Sequence, residues 1–402
     1  MEIFLLLIHI LEIVLIVYLG FSALYIFFFS FTGLFGYKPK NKKPVKQHKW
    51  VVMIPGYKED QVICHVAEDA LNQDYPSELY DVVVIADSFK KETIDELQQM
   101  PIKVVEVSFD VSTKSKALNR AMEVLPDTYD GVVILDADNL MEGDFLTKIN
   151  VSFCQGYIAI QGHRVAKNTD TSFAVLDAIS EEINNHIYRK GHRVVGLSAA
   201  LIGSGMAFDY SYFKNTMNQI KAIGGFDKEL ELKLTREGTA IEYIESALVY
   251  DEKIQSSQGF QNQRRRWLSA QFVYFGRSIG NAFWALLSRG NMENINKSLQ
   301  FVQLPRIILI GILTIIFVIS ILFASVLDYQ AWGILWILCA LALLMGVPGK
   351  FYNTQTLVAL MSLPRGFLLM ILSLLKIKGA NKRFIHTEHT AGQSNVKKNQ
   401  KQ

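Results

Sequence analysis

The sequence predicts an α/β domain set between membrane-spanning helices, and three observations predict it. Residues 3–31 are almost continuously apolar, two further apolar runs follow at 307–327 and 331–347, and short β-branched runs alternate with helical stretches in between. Half of the 402 residues are hydrophobic while 20% are charged, so the apolar excess is concentrated in those runs rather than spread through a soluble core.

The first run exceeds the ~20 residues that cross a bilayer, although His9 and Glu12 interrupt it. It is too long for the core of a signal peptide and no small-residue cleavage site follows. The cations Lys38, Lys40, Lys42, Lys43, Lys46 and Lys49 lie after it. By the positive-inside rule the N-terminus is outside and the next domain cytosolic. The polar hinge Asp328-Tyr329-Gln330 joins the second and third runs, and three spans return the chain to the cytosol. Lys376, Lys378, Lys382, Arg383, Lys397, Lys398 and Lys401 agree with that side. Residues 357–375 are apolar but broken by Pro364-Arg365, which reads as an interfacial helix more than a fourth span. Glu12 either pairs with another helix or marks a path through the membrane.

These features divide the chain into an N-terminal transmembrane helix (1–35), a cytosolic domain (36–270), an amphipathic interface helix (271–300), two transmembrane helices (301–350), an interfacial or cytosolic segment (351–390) and a polar, disordered tail (391–402). The expected location is the cell (inner) membrane, multi-pass, with membrane lipids as partners. Cys64, Cys154 and Cys339 are odd in number and widely spaced, which argues against a disulfide scaffold and against a cysteine zinc site. A net charge of +3 is too small to imply nucleic acid.

In the middle of the chain, strands are expected at 51–55, 81–86, 102–107 and 131–135, and helices at 61–72, 91–100 and 116–124, forming a largely parallel sheet. Asp136 and Asp138 stand at the carboxyl end of the fourth strand, where open α/β sheets place ligands. Two carboxylates one residue apart offer hard oxygen ligands that suit Mg²⁺ or Mn²⁺. An isolated pair of this kind also reads as the cap of a following helix, so the surrounding residues have to decide.

Those residues come in a definite order. Pro55-Gly56-Tyr57-Lys58-Glu59 ends the first strand and Val84-Ile85-Ala86-Asp87-Ser88 the second. Lys114-Ser115-Lys116-Ala117-Leu118-Asn119 opens a helix, and Asp136-Ala137-Asp138 follows. Then come Gln161-Gly162-His163-Arg164, the run Leu201-Ile202-Gly203-Ser204-Gly205-Met206-Ala207-Phe208, the acidic stretch Phe226-Asp227-Lys228-Glu229-Leu230-Glu231-Leu232, and Gln263-Arg264-Arg265-Arg266-Trp267. The order resembles the family-2 glycosyltransferases, in particular their membrane-integrated branch with the cellulose, hyaluronan and chitin synthases.

The resemblance implies a GT-A fold with transmembrane helices on both sides, and a hexosyl- or N-acetylhexosaminyltransferase. It implies donor or nucleotide contacts at Pro55, Tyr57, Glu59, Asp87, Lys116, Asp136, Gln263, Arg266 and Trp267, with metal ligands at Asp138 and Asp136. Lys58 replaces the usual Asn of the first motif. Gly203, Ser204, Gly205 and Trp267 would line the acceptor, the first three within a small-residue strand. Aligning the L-x-L part of the acidic stretch puts Glu229 at the position of the catalytic base, with Asp227 or Glu231 in its place if the register slips. Leu230, Leu232 and Leu234 alternate with period two, which fits a helix poorly. The partners implied are a nucleotide-sugar donor, a UDP-sugar by the resemblance, and a glycan or lipid acceptor, with an oligomer or partner subunit to complete any channel. The activity implied is inverting transfer to a growing polysaccharide or lipid-linked glycan with a β-linked product. Transfer of a single sugar to a membrane lipid shares every motif, and a non-catalytic subunit that binds nucleotide or glycan is the alternative from another class.

Overall fold

The computed structural model describes residues 2–37, 46–220, 224–253 and 257–375, with the side chains of residues 257–260, 262 and 266 left aside. Eight strands, β1 (Trp50–Tyr57), β2 (Tyr80–Asp87), β3 (Lys103–Val107), β4 (Gly131–Ile134), β5 (Leu140–Met141), β6 (Ala159–Ala166), β7 (Met206–Asp209) and β8 (Glu242–Asp251), form one sheet in the order β3-β2-β1-β4-β7-β6-β8-β5. The first four strands are parallel, as their β-branched runs predict. The far half is mixed, because β7 runs antiparallel to both β4 and β6, while β6 and β8 pair in parallel. The expectation of a largely parallel sheet therefore holds only for residues 50–134. Beyond them β7 reverses the direction of the sheet, although helical segments (Ser172–Asn184 and those up to Val194) precede it. Apolar layers cover both faces, one built on Val51, Met53, Ile134 and Phe208, the other on Val52, Ile54, Val133 and Phe145.

Two local expectations are corrected. The run 201–208 is a strand only from Met206 onward, since Gly203 (φ +85°) and Gly205 (φ +61°) hold a left-handed backbone that no regular strand contains. Residues 226–236 form a helix despite the alternating leucines. Leu230 and Leu234 pack into the core beneath the sheet, whereas Leu232 packs on Ala270, Tyr274 and Phe301. The helix is thus apolar on two faces because it has neighbours on both, and tertiary packing overrides the one-face pattern.

Helix Glu2–Gly33 is the one described helix long and apolar enough by itself to cross a membrane. Arg306–Leu322 and Tyr329–Met345 are apolar but 17 residues each, and spans on both sides of the domain stay an expectation. Met292–Val302 meets Arg306–Leu322 at a 62° bend, and residues 354–375 are two helices, Thr354–Leu360 and Leu363–Leu375, bent by 47°. Pro364 sits in the first turn of the second, where its missing N–H costs nothing. Glu12 pairs with another helix, as one of its two readings has it. Its carboxylate accepts Trp332 Nε1–H at 3.0 Å and the Asp328 N–H at 2.8 Å. Helix Ser257–Arg289 runs through residue 270 without a break, so Gln263 to Trp267 share one rod with the expected interface segment. The tail 391–402 lies outside the described residues.

Candidate active site

Chain order sets the place of the site. From β1 the sheet grows one way through β2 and β3, then restarts on the other side of β1 with β4. The carboxyl ends of β1 and β4 flank this switch point, the crevice where open sheets take ligands. Pairing of β1 with β4 stops at Met53, two residues before Pro55, and the strand ends then diverge. Gly56 makes room for Phe89, which follows β2. A Cβ there would meet the Phe89 ring at 2.6 Å and Ala137 Cβ at 3.6 Å. Tyr57 and Asp87 pair across β1 and β2, and each is followed by a non-glycine residue in left-handed conformation, Lys58 (φ 57°) and Ser88 (φ 60°). Such backbone is disfavoured and concentrates at ligand sites. Asp87 is buried, accepts a hydrogen bond from Ser88 Oγ at 3.0 Å, and lends its carbonyl to the Lys58 N–H at 3.1 Å.

Beyond β4 three carboxylates converge. Asp136, Asp138 and Asp251 each place an oxygen within 4.8 Å of the other two. Asp251, at the end of β8, is absent from the motifs read in the sequence, although it ends an apolar run (Ala247-Leu248-Val249-Tyr250) just as Asp136 does. Asn139 ties the three together. Its Nδ2 donates to Asp138 at 3.3 Å and to Asp251 at 3.1 Å, and its Oδ1 accepts from the Asp136 N–H at 3.2 Å and from Ser204 Oγ. Asp138 is 3% exposed and also accepts the Glu252 N–H at 3.0 Å. Charge at the cluster is balanced from outside. Lys114 Nζ donates to Asp136 at 2.5 Å and Lys253 Nζ to Asp251 at 2.8 Å, with the Arg164 guanidinium 3.7 Å from Asp251. Burial pushes the Asp251 carboxyl up, but Arg164 and Lys253 outweigh it and hold it below the usual carboxylate range.

This donor set fits a divalent cation. It is all oxygen, and ligands on opposite sides of a small ion with bonds of ~2.1–2.4 Å lie no more than about 4–5 Å apart.

The acceptor-side loop and the acidic helix close on the cluster. Lys114 reaches past Asp136 to the Gly203 carbonyl at 2.8 Å, and its ammonium lies 5.7 Å above the Phe226 ring. A Cβ at Gly203 would stand 3.9 Å from Asp227 Cγ. Gly225 begins the helix Phe226–Arg236 in left-handed conformation (φ +73°), so the chain turns sharply and aims the first turn at the loop. The three acids of this helix differ. Glu231 is buried and caged by Lys297 Nζ (2.6 Å), the Leu201 N–H (2.9 Å) and Lys228 Nζ (3.5 Å). Asp227 faces Gly203 and lies 3.3 Å from Lys228 Nζ. Glu229 neighbours Tyr274, whose phenol is pushed up by burial and by the charges of Glu229 and Asp227.

Of the remaining expected residues, Glu59 is buried at the end of β1 and Pro55 lies within it. Lys116 turns away, donating to the Val111 carbonyl at 2.8 Å. Lys114, in the same motif, is the lysine at the aspartates, because positions two apart on a helix point some 200° apart. Ser204 is fully buried and braces Asp136 and Asn139 from below, which removes it from the surface an acceptor would touch. Gln263 is half-buried, Trp267 is 42% exposed, and the side chain of Arg266 lies outside those described. Arg264 locks this helix to the domain, pairing with buried Asp177 on helix Ser172–Asn184 and stacking its guanidinium 4.5 Å from the Trp267 ring.

Helix Ser172–Asn184 also carries Glu181, bonded to Arg164 at 2.9 Å, and Glu182, bonded to His163 Nε2 at 2.9 Å and Lys350 Nζ at 3.0 Å. Burial pushes Glu182 up, yet His163 and Lys350 bring it down to about 2. A depressed carboxylate adds stability that is complete above its unfolded value and is lost as pH falls through the folded one. Acid unfolding of the wild type is therefore expected to steepen between pH ~4.5 and 2, and Glu182→Gln to flatten that limb in thermal melts across this range.

The glycosyltransferase like family 2 profile matches residues 48–270, just over half of the chain. No curated protein matches significantly. The fold is shared with the mannosyltransferase PcManGT from Pyrobaculum calidifontis, solved with GDP-Man and Mn²⁺. It superposes at a TM-score of 0.59 with 16% identity, over 92% of this chain and 98% of that one. Glucosyl-3-phosphoglycerate synthase from Mycobacterium tuberculosis aligns at 0.41 and 14% identity, over 60% of this chain and 86% of its own. The mixed sheet, the paired aspartates at its switch point and the profile together place the chain in glycosyltransferase family 2.

Proposed function

We propose that the chain is a membrane-bound, inverting glycosyltransferase that takes a sugar from a nucleoside-diphosphate donor and adds it to a growing polysaccharide or lipid-linked glycan, with a β-linked product. The observation that carries this reading is the convergence of Asp136, Asp138 and Asp251 at the β1/β4 switch point. A divalent cation held there supplies positive charge to the diphosphate as the glycosidic bond breaks. The mannosyltransferase of like fold, solved with GDP-Man and Mn²⁺, supports the donor class and the metal.

Tyr57, Glu59 and Asp87 then hold the nucleoside along the β1 and β2 ends. Lys114, between Asp136 and Gly203, meets the diphosphate as a point charge. Asp227, facing the Gly203 turn, takes the proton from the acceptor hydroxyl. Trp267 offers a half-exposed ring on which an acceptor sugar stacks. Helix Glu2–Gly33 anchors the domain to the membrane, with Arg306–Leu322 and Tyr329–Met345 completing a multi-pass arrangement around a cytosolic site.

The test is to give membranes carrying the protein a panel of UDP- and GDP-sugars with Mn²⁺ or Mg²⁺, and to size the products. Metal-dependent consumption of one donor with products several sugars long is expected. A product lengthened by one sugar replaces polymerisation with single transfer to a lipid. Failure to turn over any donor leaves the chain as a binding subunit and ends the proposal.

A further inference from the structure

At the end of helix Phe226–Arg236 away from Asp227, a cavity of about 240 Å³ opens against the end of helix Ser257–Arg289 and the start of helix Met292–Val302. Nine helical residues put it about 14 Å along the axis from Asp227, outside the site described above. Arg236, Asn281, Trp284, Arg289, Asn291 and Asn294 line it.

Two exposed arginines, Arg236 and Arg289, stand in its wall. Among the described residues, neither Arg236 nor Arg289 has an ion pair or a hydrogen bond. The acids beside them in the chain are engaged elsewhere, Glu237 accepting from Tyr212 Oη at 2.7 Å and Glu293 from the Ser198 N–H at 3.0 Å. One arginine in a last helical turn answers the helix dipole. That account does not reach Asn294, which is 1% exposed and whose Oδ1 has no hydrogen-bond partner among the described residues. The wall around it is built firmly, since Asn291 accepts the Asn294 N–H at 3.0 Å and donates to the Thr235 carbonyl at 3.1 Å. Trp284 presents a ring that is 71% exposed at the rim.

We propose that this cavity binds a phosphorylated polyol. The phosphate lies between Arg236 and Arg289, whose forked donors match its oxygens. A hydroxyl of the polyol donates to Asn294 Oδ1 and removes the cost of a buried, unanswered acceptor. The carbon skeleton lies on the Trp284 ring. The same chemistry is offered by a soluble sugar or glycerol phosphate and by the headgroup of a lipid such as phosphatidylglycerol.

Intrinsic tryptophan fluorescence of the full-length protein in neutral detergent can be titrated with sn-glycerol 3-phosphate, with inorganic phosphate, and with phosphatidylglycerol carried in micelles. Saturable binding is expected, tighter for a glycerol phosphate ester than for inorganic phosphate, and weakened about ten-fold or more by R236Q or R289Q. Both arginines are exposed, so melting temperature should not change and a folding defect cannot imitate the loss. Saturation by phosphatidylglycerol alone assigns the site to a lipid headgroup, and saturation by glycerol 3-phosphate assigns it to a soluble ester. Absence of saturation by either ester, equal affinity for inorganic phosphate, or unchanged affinity in both variants overturns the proposal.

Discussion

Asp138→Asn is expected to leave the protein folded and to lower sugar transfer by about 10³-fold, the scale on which removing one electrostatic contact to a transition state is felt. Asp138 holds two jobs that this substitution separates. Its buried carboxylate accepts the Glu252 N–H and one Asn139 amide proton, and it stands within 4.8 Å of Asp136 and Asp251. An asparagine oxygen still accepts from Glu252, so that N–H is not stranded. Alanine would strand it, at a cost of about 1–3 kcal/mol in stability. What asparagine cannot supply is the negative charge, or a second oxygen, for a cation. Mn²⁺ titration followed by electron paramagnetic resonance should show weakened binding in step with the lost transfer. Asp251→Asn should behave in the same way, and an Asp251 variant with wild-type Mn²⁺ affinity would reduce the site to the two aspartates of the motif.

The sequence made the near half of this architecture legible and the far half obscure, for physical reasons. Strands β1, β2 and β4 are buried on both faces and read as nearly unbroken apolar runs, so Val51 to Pro55 and Gly131 to Leu135 announce themselves. The paired aspartates stand out because they interrupt such a run. Asp251 ends an equally apolar run, but its company is supplied by residues distant in sequence. Arg164 and Asn139 reach it only through the β6–β8 ladder and the turn after β4. The helix Phe226–Arg236 is hard to read because period-two leucines fit a single apolar helix face poorly, while in the fold they serve two separate packing surfaces. Lys114 and Lys116 illustrate a finer limit. A motif fixes that a lysine is present, but helix phase decides which of two lysines faces the aspartates.

Asp227→Asn is expected to remove roughly 10²- to 10⁴-fold from transfer, the usual contribution of a positioned general base, while Glu229→Gln stays within about ten-fold of wild type. Motif alignment favours Glu229 and geometry favours Asp227. Residues two apart on a helix diverge by about 200°, so the two acids cannot both face the acceptor loop. Asp227 Cγ lies 3.9 Å from where a Gly203 Cβ would be, and Gly203 touches Lys114, which touches Asp136. Both acids act on Tyr274, on the helix that carries Trp267, but Glu229 acts on it more strongly and has no contact with Gly203 among the described residues. Glu231 supplies the control. Its carboxylate answers the buried ammonium of Lys297, so Glu231→Gln should cost about 3–5 kcal/mol of stability by leaving that charge uncompensated. A base variant should instead melt normally and lose transfer while still binding donor. Should Glu229→Gln show the large loss and Asp227→Asn the small one, the base would be Glu229, and the first turn of the helix would have to rotate in the donor complex to bring it over Gly203.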